Sequence, residues 1–133
     1  MPIVSPAISA WPRSAYRRRS KQSVLSEAEY EQRAAPELEA LLSAVDELES
    51  DELEAEFESD ILTLEFSDGT KYVINSHRAA RQIWMAAERS AWHFDWDPES
   101  AQWIAKKTGD ELWSTVTRVI QNKLEAPVTL NRR

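Results

Sequence analysis

The sequence predicts an α+β fold: a two-layer α/β sandwich in which an antiparallel sheet of five to six strands carries an N-terminal and a C-terminal helix on one face. Three observations predict it. Apolar residues recur at helical spacing near both ends of the chain and alternate with polar ones in between. The links between the alternating stretches are short, which pairs neighbouring strands antiparallel. Each helix has one apolar face, so both cover the same side of the sheet.

Residues 1–25 form a compositional zone of their own, leaving 26–133 as the folded domain. Arg13, Arg17, Arg18, Arg19 and Lys21 stand there with five serines, three prolines and no acid. An Arg- and Ser-rich, acid-free N-terminus suits a mitochondrial transit peptide, although Pro2, Pro6 and Pro12 interrupt the amphipathic helix such peptides form. A bacterial extension outside the fold fits the same composition.

The first helix opens at Ser26, where Ser26-Glu27-Ala28-Glu29 has capping-box spacing and acids suited to the helix dipole. Tyr30, Ala34, Leu38, Leu41, Leu42, Val45 and Leu48 make its apolar stripe, with Glu37, Asp46, Glu47 and Glu49 on the opposite face. Pro36 removes a backbone donor, so a kink is expected there, or a main helix that starts near it. Strand alternation follows in Glu52–Glu58, Ile61–Phe66, Lys71–Asn75, Gln82–Ala87, Ala91–Trp96 and Gln102–Ala105. Asp68-Gly69 reads as a two-residue hairpin turn and Asp97-Pro98-Glu99-Ser100 as a longer one. Thr108-Gly109-Asp110-Glu111 has a second capping-box spacing, opening a helix with Leu112, Val116, Val119, Ile120 and Leu124 on one face, which Pro127 stops.

Composition narrows the chemistry. The 133 residues suit one domain with a single core, and 42% hydrophobic and 29% charged residues are ordinary for a globular protein. With no cysteine there is no disulfide, thiolate metal site or cysteine nucleophile. His77 and His93 are too few for a conventional zinc site. No apolar run approaches the roughly 20 residues that span a bilayer. Net charge is −7, and between Ala34 and Thr70 stand thirteen acids and no Lys or Arg. Such a field repels phosphate backbones and attracts cations and basic protein surfaces, which argues against nucleic acid as a partner. Glycine-rich phosphate loops and the HExxH and GxSxG motifs are absent.

Three constellations remain. In the first, alternation that buries Tyr72, Ile74, Ile83 and Met85 turns Asn75, Gln82 and Trp84 outward together. An outward tryptophan between amides suits an interface anchor, and equally a ring covered by another element. In the second, His93 and Asp95 share a strand face, as a general base with its orienter or as a plain surface pair. In the third, carboxylates of the first helix end (Asp46, Glu47, Glu49), the linker (Asp51, Glu52) and the next strand (Glu54, Glu56, Glu58) lie along one edge. Oxygen-only donors without a shaping loop suit hard cations held weakly at several sites. The same residues suit a solubilising face that protects an edge strand.

The element order, the acidic first helix and first strand, and the string Tyr72–Asn75 followed by Gln82-Ile83-Trp84 resemble the frataxin family. His93-Phe94, Trp103 and Thr108-Gly109-Asp110-Glu111 add a likeness to its bacterial, CyaY-type members. The resemblance covers about residues 26–126. It implies a compact α/β sandwich that binds iron (Fe²⁺/Fe³⁺) weakly and works with the cysteine desulfurase and scaffold protein of iron–sulfur cluster assembly. On this likeness the iron-binding ridge comprises Asp46, Glu47, Glu49, Asp51, Glu52, Glu54 and Glu56, and the partner-binding surface Asn75, Gln82, Trp84 and His93. The expectation is a monomeric iron chaperone or regulator without enzymatic activity, cytoplasmic in a bacterium or in the mitochondrial matrix if residues 1–25 are a transit peptide. Two rival functions fit the same residues: a ferroxidase using the ridge, and a metal-independent acidic adaptor. The chain departs from the family pattern at Pro36, in the loop before Gln82 (His77, Arg78 and Arg81, without the usual proline), and in its longer basic extension.

Overall fold

The computed structural model describes residues 25–132. Helix α1 (Glu27–Asp46) leads into strands β1 (Leu53–Glu58), β2 (Ile61–Phe66), β3 (Lys71–His77), β4 (Gln82–Ala87), β5 (Ser90–Asp97), β6 (Gln102–Ala105) and β7 (Asp110–Glu111), and helix α2 (Leu112–Leu124) closes the fold. The strands make one sheet in sequence order, each antiparallel to the next. Both helices pack on one face of it, as two apolar stripes and one apolar sheet face require. The expected extension falls almost wholly outside the described residues. Leu25, counted with that extension, packs against the core and its carbonyl accepts from Arg81 Nη1 at 3.2 Å.

The capping box at Ser26 is complete. Glu29 N–H donates to Ser26 Oγ at 3.1 Å, and Ser26 N–H donates to Glu29 Oε1 at 2.9 Å. The helix starts there and runs through Pro36, so the start expected near Pro36 is corrected. The proline ring is exposed, while Ala34, Leu38 and Leu41 beside it are buried against the sheet. Tertiary burial therefore carries the turn that lacks a backbone donor. Glu37 is a second correction. Expected on the solvent face, it is only 5% exposed, because Trp113 Nε1 of α2 and Arg132 Nη2 (2.7 Å) both donate to its carboxylate.

The sheet has seven strands where five to six were expected. The extra one, Asp110–Glu111, is too short to show alternation and exists by pairing with Ile104 and Ala105. It displaces the start of α2, whose N-cap is Glu111 rather than Thr108. The Glu111 carboxylate accepts from Trp113 N–H (2.8 Å) and Ser114 N–H (3.0 Å), while Thr108 Oγ1 donates to Asp110. At Asp68-Gly69 only Gly69 has positive φ (91°), and its N–H bonds Phe66 O, so this is not the two-residue turn the dipeptide suggests. Two-residue turns with both φ positive occur instead at Ser59-Asp60 and Glu88-Arg89, closed by the pairs Glu58↔Ile61 and Ala87↔Ser90.

Between helices and sheet lie Leu38 and Leu41 from α1, Val116 and Ile120 from α2, and Leu62, Leu64, Ile74, Ile83 and Phe94 from the strands, all fully buried. At one end Trp103 meets Tyr30 edge-on (5.9 Å between centroids) and Trp96 likewise (5.6 Å). Each large apolar side chain so buried contributes about 1.5–3 kcal/mol.

Candidate functional site

With one sheet face committed to the core, the other is free, and the strand register decides what stands on it. Ile61↔Asn75, Asn75↔Trp84 and Trp84↔His93 are direct cross-strand pairs, so these four side chains form one outward row across β2 to β5. The next row sets His77 opposite Gln82. The register thus brings together Asn75, Gln82, Trp84 and His93, and adds His77, which the sequence reading placed in the loop. β3 continues two residues past its expected end at Asn75 and carries His77 onto the sheet.

The Trp84 indole lies between two imidazoles. His77 stacks on one face at 3.7 Å between centroids, with 18° between planes, and His93 on the other at 4.2 Å and 14°. Trp84 Nε1–H donates to Gln82 Oε1 at 2.7 Å, and Gln82 Nε2 in turn donates to both oxygens of Asp95 at 3.1 and 3.2 Å. The indole orientation is therefore fixed on both faces and at its polar edge. No covering element lies over this row among the described residues. Asp95 is engaged by Gln82 and His93 by Trp84, so the two do not form the acid–base pair their spacing allowed. The Asn75 amide has no hydrogen-bond partner among the described residues and stands beside the stack.

Two supports hold this arrangement from below and from the side. Tyr30 of α1 reaches the end of the central β3–β4 pair, where its hydroxyl donates to the Gln82 carbonyl at 2.7 Å and meets Ser76 Oγ at 2.6 Å. Burial pushes the Tyr30 phenol above its ordinary pKa, so it stays a donor at neutral pH. In the 78–81 turn, Ala80 N–H donates to His77 Nδ1 at 3.3 Å, and Arg78 pairs with Asp60 (2.9 Å) and Glu31 (3.2 Å).

The carboxylates Asp46, Glu47, Glu49, Asp51, Glu52, Glu54 and Glu56 are all exposed, running from the C-terminus of α1 into edge strand β1. They do not share one cavity. Asp46, Glu49 and Glu54 line a groove of about 330 Å³ between helix end and strand, whereas Asp51, Glu52 and Glu54 line another of about 260 Å³ with Glu65. Glu56 lies further along the strand, with Glu58. Among the described residues no three His, Asp or Glu side chains are grouped so as to hold a metal ion. The donor set suits a hard cation, but the geometry suits one held by field and water rather than by a cage.

His77 was legible in principle. A four-residue turn at 78–81 sets it opposite Gln82, and period two then lays it over Trp84. Asp95 and Tyr30 need the folded chain, because their partners lie on other elements.

Comparison with known proteins follows this geometry. The model of the frataxin-like domain matches residues 23–126. Similar proteins include the iron-sulfur cluster assembly protein CyaY of Ralstonia nicotianae, 34% identical over 110 residues that cover 80% of this chain and 95% of that one. That of Vibrio cholerae is 31% identical over 104 residues (78% and 97%), and that of Thioalkalivibrio sulfidiphilus 37% over 84 residues (62% and 78%). Among solved structures, frataxin from Psychromonas ingrahamii superposes with a TM-score of 0.73 at 23% identity, covering 81% of this chain and all of that one. Trimeric frataxin of Saccharomyces cerevisiae gives 0.58 at 22% identity, covering 87% and 97%. These two likenesses speak for the fold.

Proposed function

The chain belongs to the frataxin-like family, and on that footing we propose that it serves iron–sulfur cluster assembly by two separate surfaces. The carboxylate strip gathers Fe²⁺ as cargo, through Asp46, Glu47, Glu49, Asp51, Glu52, Glu54 and Glu56. The outward sheet face, with Asn75, Gln82, Trp84 and His93, docks onto the complex of cysteine desulfurase and scaffold protein. The observation that carries the reading is the Trp84 stack, an aromatic block held rigid between two imidazoles and an amide chain on a face that no described element covers. A plain structural face would need no such pre-ordering; an interface anchor gains from it.

The test has two parts. An NMR titration with Fe²⁺ under nitrogen, with Mg²⁺ as control, is expected to broaden signals across Asp46–Glu58 and leave the Trp84 indole signal in place. Trp84→Ala is expected to abolish the protein's effect on cluster-assembly kinetics while its circular dichroism stays unchanged. Unaltered kinetics with that variant would remove the sheet face from the mechanism.

A metal-independent adaptor is the second reading, favoured by the divergence of the carboxylates into separate grooves. It predicts partner binding that weakens with salt yet ignores iron and chelators.

A further inference from the structure

The two imidazoles that flank Trp84 are not equivalent. Ala80 N–H donates to His77 Nδ1 at 3.3 Å, so that nitrogen holds a lone pair and His77 stands in its neutral, Nε2-protonated form. The His93 ring stacks on the other indole face and makes no hydrogen bond among the described residues. His93 can gain a proton without breaking a bond. His77 cannot, because a protonated imidazole donates from both nitrogens and would set Nδ1–H against Ala80 N–H. Histidine is the side chain whose charge changes between about pH 5 and 8.

Little else holds the 78–81 turn. Arg81 N–H closes it on the Arg78 carbonyl at 3.1 Å, with Arg81 itself at φ 55°, strained for any residue larger than glycine. Arg78 pairs with Asp60 of the β1–β2 turn and Glu31 of α1, but all three side chains are about half exposed, and such pairs contribute little. Arg81 donates to the uncharged Leu25 carbonyl at 3.2 Å. On the sheet side, Gln82 is paired with His77 across β3 and β4, and its amide is bonded to Asp95 of β5. The Tyr30 hydroxyl reaches the same pair from α1. We propose that His77 is the pH sensor of the sheet face. Neutral, it caps the 78–81 turn beside the Trp84 stack; protonated, it releases the turn while its ring stays on the indole, whose face attracts a cation. The proposal rests on the docking function assigned to Trp84 and adds its regulation. Docking is expected to weaken in mild acid for two reasons. The turn that borders the row loses its cap, and a charge appears beside the anchor ring that binding must strip of water.

Two variants separate the parts of the claim. His77→Asn places an amide oxygen near the position of Nδ1, so it keeps an acceptor for Ala80 and has no proton to gain. His77→Phe keeps a ring on Trp84 and has neither acceptor nor charge. Binding of the full chain to purified desulfurase–scaffold complex is measured by interferometry at about pH 8 and about pH 5.5. Comparing each chain with His77→Asn at both values cancels the partner's own pH dependence. On acidification the unaltered chain is expected to lose about threefold to tenfold more affinity than His77→Asn, the size of one ordinary hydrogen bond. In the chain alone, the Ala80 amide signal should follow the ring-proton titration of His77 and not that of His93. It should stay in place in His77→Asn and sit at its acid position throughout in His77→Phe. An Ala80 amide that ignores the His77 titration overturns the proposal. Equal pH profiles for the unaltered chain and His77→Asn, beside a weakened Trp84→Ala, overturn it as well and leave docking through Trp84 standing. A silent Trp84→Ala overturns both, since the turn would then border no docking face.

Discussion

Tyr30 links the helix layer to the exposed side of the sheet, since its hydroxyl holds the Gln82 carbonyl while the Gln82 side chain holds Trp84. Tyr30→Phe keeps the ring packed on Trp103 and removes only the two polar contacts. Urea denaturation should show a loss of about 1–2 kcal/mol, the usual cost of leaving a buried acceptor unpaired. The Trp84 indole N–H resonance should move as well, although the two residues do not touch. Asp110 makes a different prediction. Its carboxylate accepts from Trp92 Nε1 (2.9 Å) and Thr108 Oγ1 (2.9 Å), and the Trp92 bond, then the Thr108 bond, hold its pKa below the ordinary value. A depressed carboxylate contributes stability that is present above its unfolded pKa of about 3.9 and is lost as pH falls through the folded value. Asp110→Asn should therefore flatten the acid limb of a stability–pH profile below about pH 4; an unchanged limb would show that other carboxylates dominate it. At this scale the sequence was only partly legible. Alternation put Asn75, Gln82 and Trp84 on one face, yet the sandwich of Trp84 between His77 and His93 depends on three strands in register. Glu37 was placed on the solvent face and is buried instead, because what buries it lies at Trp113 and Arg132, on the far end of the chain.

Elements were read more surely than the turns that join them. Strand alternation survives because burial on one face repeats every second residue whatever the neighbours do, and the six longer strands fall where alternation puts them. Turn geometry does not follow from composition so directly. Ser59-Asp60 and Glu88-Arg89 adopt a conformation that glycine and asparagine favour, whereas Asp68-Gly69, which advertises it, does not. Those left-handed residues are strained, at roughly 1–2 kcal/mol each. Arg89 is exposed at φ 66°, so Arg89→Gly should relieve part of that strain. A gain of about 0.5–1 kcal/mol is expected in thermal or urea unfolding. Pro36 does not start the helix as expected, because packing overrules it. Its neighbours are buried strongly enough to keep the helix intact, so the missing hydrogen bond is a cost the fold carries. Pro36→Ala should restore that donor and stabilise α1 by about 2–3 kcal/mol, read as a rise in the urea midpoint at unchanged slope.

Across the whole molecule, the residues that close the helix layer are not those of the proposed functional surfaces. The segment after α2 runs back over the helix layer, with Val128 and Leu130 packed on the core and Val128 N–H donating to Gln121 Oε1 at 3.0 Å. Arg132 completes it by pairing with Glu37 and lying 5.8 Å from the Trp113 ring centre. Beneath it a cavity of about 170 Å³ is lined by Trp103, Trp113, Leu130 and Arg132 among others. The carboxylate strip and the Trp84 row contain none of these residues. Removing residues 127–133 should therefore destabilise the fold by about 2–4 kcal/mol, from two half-buried apolar side chains and a buried carboxylate stripped of one of its two donors. Iron titration of the carboxylate strip and docking through Trp84 should be unchanged at temperatures where the truncated chain remains folded. The opposite pattern belongs to Trp84→Ala, which should cost docking and little stability, since its indole lies on the outward face and not in the core. If truncation instead altered docking in the fully folded chain, the helix layer and the sheet face would have to be coupled. Tyr30 is the route such coupling would take, because it is packed on Trp103 at the cavity wall and bonded to Gln82 beneath the stack. Combining the truncation with Tyr30→Phe would then abolish the effect.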